Sequence, residues 1–425
     1  MRRNWFVATS AALAALPLTT ALAQAACSIP IGVVLPTSGE LSAQGQENVQ
    51  MAQLAINQID QAGAVDGCRF NAIIANSQTK PAIGVDAAKK LVDLKNVPAI
   101  VGASSSGVSM AILTSVTAPS KVVQISSSST SPALTTLAKE GKTGGYWFRT
   151  APSDALQGVA MAYVARKQAK LQRVAILYLN NPYGKGLSGR FASEFKAMGG
   201  KVTADVPFNP RQPTYMSEVG KAMAGHPQAL FLVGYPNTAE VIMREWIGSG
   251  GPHVYLFPDA LHAPQFVDSI GGSYLNGHVW GTVPGNNKTR SLGYVAKSFT
   301  KAYGHPMRES YDAATYDAAA IEVLAAEAAK GKGESVSGTT VRNMIPDVTD
   351  PRGTPIYASV VSFRKGARLL KEGKPIRYVG AAGTLHFNRY GDVSGPMVVW
   401  RVKNGAIDPI ETLSAKRIAG LKSNS

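Results

Sequence analysis

Short apolar segments alternate along this chain with longer segments whose apolar residues recur at helical spacing. The segment 29–35 is almost wholly apolar, and the segment 49–59 carries Met51, Leu54 and Ile59 on one side of a predicted helix. Strands that are apolar on both faces are typical of a parallel sheet with helices on its two sides. The pattern therefore predicts an α/β fold.

The alternation forms two series, separated by the segment 146–153. The first has predicted strands at 29–35, 70–75, 97–101 and 122–126, with helices at 49–59, 82–94 and 107–117. The second has predicted strands at 173–178, 201–206, 229–233 and 254–257, with helices at 187–198, 216–224 and 239–248. Because a chain of 425 residues is too long for one core, we expect two doubly wound parallel-sheet lobes.

The last third of the chain carries fewer strand signals. The pattern there predicts a strand at 277–283, helices at 292–303 and 309–330, and two strands within 383–402 around a turn at 389–392. Residues 414–425 are polar, and we expect them to be frayed.

The first 25 residues have the pattern of a secretory signal peptide. Arg2 and Arg3 precede an apolar run over 6–18, and small residues follow it at alternating positions over 21–25. No other stretch approaches the roughly 20 apolar residues of a membrane span. We therefore expect an exported protein of the periplasm.

The two cysteines, Cys27 and Cys68, each directly precede a predicted strand. The first two strands of an α/β domain are often neighbours, so we expect a disulfide between these residues in an oxidising compartment. Two alternatives stay open: both thiols could be free, or Cys27 could carry a lipid, because it follows small residues at the end of the signal peptide.

The chain is strongly basic, with a formal net charge of +16. The basic residues are scattered, and no patch of them is interleaved with aromatic residues. This argues against a nucleic-acid partner and favours a solvated basic surface that could meet an acidic face of another protein.

The motifs of common enzyme sites are incomplete. The run 102–107 misses the Gly-x-Ser-x-Gly spacing of a serine hydrolase. The sequence Gly141-Lys142-Thr143 lacks the earlier glycine of a phosphate-binding loop. The six histidines show no metal-ligand spacing. We therefore expect a protein that is not an enzyme and needs neither a metal nor another cofactor.

Two serine clusters, at 104–106 and 126–131, follow successive predicted strands. Hydroxyl groups and free backbone N–H groups between a strand and the next helix can donate hydrogen bonds to an anion. Either cluster alone would also fit ordinary helix capping. Because the two strands are expected side by side, the clusters together indicate a carboxylate site.

Six segments of the chain together resemble one known family. In order they are "IGVVLPTSGELSAQGQENVQMAQLAINQID", "AIVGASSSG", "ISSSSTSPALT", "ILYLNNPYGKG", "GYPNTAEVIMR" and "GTLHFNRYGDVSG". They are similar to the type I periplasmic substrate-binding proteins of the branched-chain amino acid (leucine/isoleucine/valine) uptake group, over about residues 28–405. The resemblance implies two lobes joined by three hinge crossings, which close on a ligand and present it to a membrane ABC permease.

The lobes implied by this resemblance are discontinuous. After the signal peptide 1–25, lobe one would comprise 26–149 and 284–384, and lobe two would comprise 150–283 and 385–408. Residues 409–425 would form a C-terminal tail.

The resemblance also implies residues that bind the two ends of an amino acid. Its pattern places the ligand's α-carboxylate at Ser105 and Ser106 in the first cluster and at Ser128 and Thr130 in the second. It places the ligand's amine at Asp259, which follows the fourth strand of the second series. A buried charge must be paired, so a carboxylate there requires a cationic group on the ligand.

Tyr183 in "NPYGKG" and Tyr235 in "VGYPNT" would line the lobe-two side of the cleft. One position departs from the family pattern, because Gln44 stands where branched-chain amino acid binders commonly carry an aromatic residue. Gln44 puts an aliphatic ligand in doubt and indicates a polar or longer one. His262, three residues after Asp259, could also reach the cleft, although a lone loop histidine is more often solvated.

The sequence is thus interpreted as the periplasmic substrate-binding component of an ABC importer for an amino acid, monomeric and without a nucleic-acid partner. Two alternatives stay open. One is a carrier for another small carboxylate or amide, such as an aromatic acid or a urea-like compound. The other is a ligand-sensing subunit of a receptor.

Overall fold

The computed structural model describes Met1 and residues 27–63 and 68–421. The strands are β1 Cys27–Leu35, β2 Cys68–Asn76, β3 Ala99–Gly102, β4 Val123–Ser126, β5 Trp147–Arg149, β6 Arg173–Leu179, β7 Lys201–Phe208, β8 Ala229–Val233, β9 Tyr255–Phe257, β10 Val279–Pro284, β11 Thr354–Tyr357, β12 Ile376–Val379, β13 Met397–Lys403 and β14 Ala406–Leu413. The predicted signal peptide lies outside the described residues, apart from Met1.

The helices are α1 Ser42–Ala62, α2 Pro81–Lys95, α3 Ser106–Ile112, α4 Pro132–Lys139, α5 Asp154–Tyr163, α6 Pro182–Ala197, α7 Met216–Met223, α8 Pro236–Gly248, α9 Pro264–Ile270, α10 Gly272–Leu275, α11 Arg290–Tyr303, α12 Asp312–Gly331, α13 Gly338–Val348, α14 Val360–Lys371 and α15 Ala415–Leu421. Short π-helical segments, Leu113–Thr117 and Val164–Gln168, continue α3 and α5. Within the described residues, none of these helices has the length and apolar character needed to cross a membrane.

The first sheet consists of five parallel strands in the order β2-β1-β3-β4-β5. Successive residues of β1 point to opposite faces: Val33 packs in the core formed with α1 and α12, and Val34 packs in the core formed with α2 and α3. Both residues are fully buried, which explains the continuous apolar run in the sequence. The strand order reverses at β1, and open α/β sheets bind ligands at the carboxyl ends of strands beside such a reversal.

The second sheet has seven strands in the order β14-β13-β10-β9-β8-β6-β7. Strands β6 to β10 are parallel, whereas β13 and β14 form an antiparallel hairpin that joins the sheet at β10. The two sheets, each covered by helices, confirm the predicted α/β fold with two lobes. The chain passes between the lobes after β5, after β10 and before β13, and the residue boundaries given above stay predictions.

The hairpin predicted within 383–402 is wrong in its position. The residues of the predicted turn, 389–392, lie in a loop, and only β13 in this region is a strand. The hairpin turns instead at Asn404 and Gly405, which both have a positive φ, of 53° and 77°. Gly405 adopts this left-handed conformation without the steric cost of a side chain, so the turn forms there.

The prediction of a frayed C-terminal tail is also wrong for residues 414–421, and residues 422–425 lie outside the described residues. Strand β14 extends the second sheet beyond residue 408, to Leu413, and α15 packs against α5. The side chain of Ile418 is fully buried in that contact, and Arg417 bonds to Glu411 and Tyr163. The apolar residues of α15 are few, but they lie on one face of a helix, and this contact outweighs the polar composition.

The predicted disulfide is confirmed. Strands β1 and β2 are parallel neighbours with Cys27 opposite Cys68, and the two residues are joined by a disulfide with their Cα atoms 4.3 Å apart. Both thiols are therefore occupied, and neither open alternative applies to this structure.

Helix α12 runs through the middle of lobe one and is buried over nearly its whole length. Its alanine side chains allow α1 and α13 to approach closely. Asp317 on this helix accepts hydrogen bonds from the Tyr378 hydroxyl and from the backbone N–H groups of Ala381 and Ala382. It thereby holds the segment that leads from lobe one back to lobe two.

We expect Ile418→Ala to lower the free energy of unfolding by about 2 kcal/mol, because it leaves a cavity between α15 and α5. Urea unfolding followed by circular dichroism measures this change. Lys416→Ala, at an exposed position of the same helix, is the matched control and should change it by less than about 0.5 kcal/mol. Equal behaviour of the two variants would mean that the tail is frayed after all.

Candidate functional site

The carboxyl ends of strands from both sheets face each other across a cleft. The loops after β1, β3 and β4 approach it from lobe one, and the loops after β6, β8 and β9 approach it from lobe two. The space between them, together with its opening to solvent, has a volume of about 250 Å³. Its walls are formed by Leu41, Gln44, Ser104, Ser106, Ser128, Tyr183, Tyr235, Asp259, Ala260 and Tyr311. The structure thus brings together most of the residues singled out in the sequence.

The two serine clusters meet as expected, because β3 and β4 are parallel neighbours. Ser106 Oγ accepts a hydrogen bond of 3.2 Å from the backbone N–H of Ser131. The Ser128 hydroxyl donates a bond of 3.2 Å to the carbonyl of Ser104. The hydroxyls of Ser104 and Thr130 are buried and have no hydrogen-bond partner among the described residues. The Ser104 hydroxyl lines the cleft and is free to donate to an anion, whereas the Thr130 hydroxyl lies near Asp154.

The lobes touch across the cleft, so this is a closed form. The hydroxyl oxygens of Ser105 and Tyr235, on opposite lobes, are 2.9 Å apart. Glu40 of lobe one accepts bonds from the backbone N–H and the hydroxyl of Thr238, at 3.1 and 3.0 Å, at the start of α8 in lobe two. This carboxylate satisfies an N–H group that α8 itself leaves unpaired.

Asp259 lies at the floor of the cleft on the lobe-two side and is almost fully buried. Tyr183 Oη donates to one of its carboxylate oxygens at 2.8 Å, and Tyr311 Oη donates to the other at 2.5 Å. Burial raises the pKa of Asp259, and the hydrogen bonds from Tyr311 and Tyr183 act against that rise. Desolvation therefore prevails over two good donors in setting the pKa of this carboxyl.

A second buried carboxylate, Asp154, was not found by sequence analysis. It is the first residue of α5, its side chain is fully buried, and neither of its oxygens has a hydrogen-bond partner in the described parts of the chain. Burial raises its pKa well above the ordinary value and the charge of Asp259 raises it further, while the nearby Thr130 hydroxyl and Arg149 act against this. The sequence feature that could have indicated Asp154 is an acidic residue a few positions after a strand, as at Asp259.

A guanidinium group near these carboxylates, that of Arg149, already donates hydrogen bonds to other residues. Arg149, on β5, is fully buried and bonds to Asp392 at 2.7 Å and to the carbonyls of Ser129 and Ser131 at 3.1 and 3.0 Å. It holds the second serine cluster in place. Its donors are therefore spent on residues other than Asp154.

Tyr311 is the other site residue that sequence analysis missed. It stands just before α12 with φ 70° and ψ 7°, a left-handed conformation that is uncommon for a tyrosine. This geometry carries its hydroxyl from lobe one to Asp259 on lobe two. The predicted helix over 309–330 begins instead at Asp312, and a helical tyrosine would not be expected to turn into the cleft.

Gln44 is buried and donates a bond of 3.3 Å to the side chain of Asn48, which in turn donates to Asp312 at 2.9 Å. The side chain of His262 is largely shielded from solvent. Its Nδ1 lies 3.1 Å from the hydroxyl of Ser310 on the other lobe, and burial lowers its pKa to about 4.

His262 gives a prediction for the dependence of stability on pH. The folded pKa lies below the usual value of about 6.5, so protonation favours the unfolded state and stability is lost as pH falls from 6.5 toward 4. Between pH 7.5 and 5.0 this group should cost about 1–2 kcal/mol of the unfolding free energy. His262→Asn should remove that part of the loss.

Urea unfolding at the two pH values measures the difference between wild type and variant. His226→Asn, at an exposed histidine, is the matched control and should keep the wild-type pH dependence. The assignment is contradicted if the His262 variant keeps it too.

Comparison with known proteins gives relatives over most of the chain. A substrate-binding protein of a chemotactic signal transduction system (BasB) from Halobacterium salinarum is 26% identical over 371 residues, which cover 84% of this chain and 83% of that protein. Leu/Ile/Val-binding protein homolog 3 from Brucella melitensis is 25% identical and covers 87% of this chain and 89% of that protein.

Solved structures share the fold. A leucine-binding protein (LivK) from Thermotoga maritima superposes with a TM-score of 0.75 at 23% identity, over 91% of this chain and 99% of that one. A solute-binding protein from R. palustris in complex with benzoate superposes with a TM-score of 0.68 at 15% identity, over 91% and 96% of the two chains. The family model of periplasmic binding proteins matches residues 28–405. Together with the two-lobed fold and its closed cleft, this match shows that the chain belongs to the periplasmic binding protein family.

Proposed function

We propose that this protein captures an amino acid between its two lobes in the periplasm and delivers it to a membrane ABC permease. The observation that carries the proposal is the buried carboxylate of Asp259, in a cleft whose walls contain no lysine or arginine among the described residues, with a second buried carboxyl group, Asp154, near enough for the two charges to interact. Two neighbouring buried carboxylates are unfavourable unless a proton neutralises one of them or a cation joins them. The ammonium group of an amino acid is such a cation.

The opposite side of the cleft suits the other end of an amino acid. Ser104 and Ser106 line this side with neutral hydroxyl groups that can donate, because the Ser104 hydroxyl has no partner within the described chain and the Ser106 hydroxyl only accepts a bond. Neutral donors fit a single carboxylate because they need no charge to balance them. The role predicted for Ser106 is kept in this proposal and Ser104 is added to it. The roles of Ser128, whose hydroxyl donates to the Ser104 carbonyl, and of Thr130, which does not line the cleft, stay predictions.

Three of the predicted site residues are assigned roles other than direct contact with the ligand. The hydroxyl of Ser105 is paired with that of Tyr235 across the cleft, so we assign both to closure rather than to the carboxylate. Tyr183 bonds to Asp259 and stacks on Tyr235, with ring centroids 5.7 Å apart. It orients the carboxylate that receives the amine.

A zwitterion joins the two lobes because its ends bind to opposite sides of the cleft. A ligand can favour the closed form only if it binds that form more tightly than the open one. Here the ammonium meets the lobe-two carboxylate only when the carboxylate of the same ligand is already on the serine loops. The closed shape is then what the permease would recognise.

Relatives support an amino acid as the ligand, since one is named for leucine, isoleucine and valine and a structural neighbour for leucine. Two other candidates rest on particular relatives. The structure in complex with benzoate keeps an aromatic acid open, although such a ligand would leave both buried carboxylates without a cation. The chemotactic relative keeps a sensing role open, in which the same closed form would dock on a receptor.

Removing the charge of Asp259 tests the proposal. We expect Asp259→Asn to weaken binding of the preferred amino acid by at least about 30-fold, because the ammonium would be left without its buried partner. The preferred amino acid is the one that raises the melting temperature most in a screen of the twenty, after unfolding and refolding to remove bound ligand. Isothermal titration calorimetry then gives the affinities.

Asp268→Asn, an exposed position in the same lobe, is the matched control and should bind as the wild type does. If Asp259→Asn folds and binds with unchanged affinity, Asp259 does not hold the amine. If only acids without an amine raise the melting temperature, the amino acid proposal itself fails.

A further inference from the structure

A second chamber adjoins the cleft on the side away from the serine loops. Its empty volume is about 440 Å³, and it shares Leu41, Gln44, Asp259 and Ala260 with the cleft itself. An amino acid held at Asp259 would therefore direct its side chain either into this chamber or against its entrance. The chamber's own walls decide which side chains are accepted.

These walls combine apolar side chains with polar ones, and their charged groups are acidic. Glu40 and Glu309 reach the chamber from lobe one, and Gln265 and His262 reach it from lobe two. No lysine or arginine lines it within the described ranges. His262 adds no positive charge near neutral pH, because burial lowers its pKa to about 4.

Of the two chamber carboxylates, Glu309 accepts fewer hydrogen bonds than Glu40. Within the described residues its carboxylate accepts one hydrogen bond, from Gln265 Nε2 at 3.1 Å. Burial and the nearby charge of Glu47 raise its pKa, while the bond from Gln265 and the charge of Arg308 act against that rise. Glu40 is better satisfied, since it bonds to Thr238 at the start of α8. A cation in the chamber would meet Glu309 first.

We propose that the chamber receives a positively charged ligand side chain, so that the amino acid carried by this protein is a basic one, of the lysine, ornithine and arginine class. The inference rests on the proposed function, because it takes the amino acid to be anchored at Asp259 and Asp154. A second observation supports it independently of the acidic walls. Gln44 is buried and lines both the cleft and the chamber, so the entrance to the chamber is polar as well.

The geometry also makes a charged side chain tolerable. A fully buried ammonium or guanidinium group loses its hydration at high cost. Asn237 and Gln265 on the rim of the chamber are exposed, so the end of a long side chain keeps contact with water while it lies beside Glu309. An aliphatic side chain would contact the leucine, alanine and proline side chains of these walls but would leave Glu309 without a cation. It would also separate the Gln44 amide and the Glu309 carboxylate from water.

The decisive experiment compares L-lysine with L-norleucine, which has the same four side-chain carbons and no charge. Affinities are measured by isothermal titration calorimetry on the full mature protein, unfolded and refolded to remove bound ligand, at low and at high salt. We expect L-lysine or L-arginine to bind at least 10-fold more tightly than L-norleucine, by the order of magnitude of one partly buried charge pair. The preference should shrink as the salt concentration rises.

Glu309→Gln should reduce the ratio of the lysine and norleucine affinities several-fold, because it weakens lysine binding more than norleucine binding. Glu334→Gln is the matched control, because it removes the same charge at an exposed position beyond the far end of α12. That helix has 20 residues, so the control lies roughly 30 Å from the cleft. It should leave the ratio as in the wild type.

The outcomes separate the two proposals. If L-norleucine or L-leucine binds as tightly as L-lysine, the basic-ligand inference is overturned while the amino acid function stands. If Glu309→Gln leaves a lysine preference unchanged, the chamber is not its source and the inference falls as well. If the refolded protein binds benzoate or urea and none of these amino acids, or binds nothing in the panel, both proposals fail.

Discussion

The burial of two carboxylates side by side, Asp154 and Asp259, is the constraint on which the rest of the cleft depends. Each would lose much of its hydration free energy in this position. Asp259 recovers part of it from the hydroxyls of Tyr183 and Tyr311. Asp154 recovers almost none, and Arg149 is held by Asp392 and two backbone carbonyls. The closed protein therefore lacks one cationic partner, and on our account the ligand supplies it.

This constraint also explains why binding and closure are coupled. Tyr311 belongs to lobe one but completes the shell of a lobe-two carboxylate. The Ser105–Tyr235 and Glu40–Thr238 contacts likewise join groups of opposite lobes. Each such bond contributes only about 1 kcal/mol net. Together they stabilise the closed form modestly, so the open form remains accessible. The charge pairing that the ligand adds then decides the equilibrium.

Much of this arrangement could be predicted from the sequence, for physical reasons that differ between elements. The strands of the first sheet are apolar on both faces, as β1 is, because helices cover both sides. The cysteines precede two strands that begin side by side, and Asp259 directly follows a strand end. In each case a local pattern was enough, since neighbouring parallel strands bring their ends to the same edge.

The residues that were missed depend on contacts distant in the sequence. Asp154 follows β5, which has only three residues and gives too little pattern to predict a strand. Tyr311 enters the cleft through a left-handed backbone that helical spacing does not indicate. Helix α15 has so few apolar residues that only its contact with α5 makes it regular. Long-range packing determined each of these features.

The most direct test of the account is the chemical identity of the compound that the protein carries when it is purified from the periplasm. Native mass spectrometry gives the mass of the complex, and unfolding releases the compound for identification. The account predicts an α-amino acid, released unchanged, whose ammonium group occupies the site between Asp154 and Asp259. A bound acid or amide without an amine would contradict it, because the two buried carboxylates would then have no cation to join them.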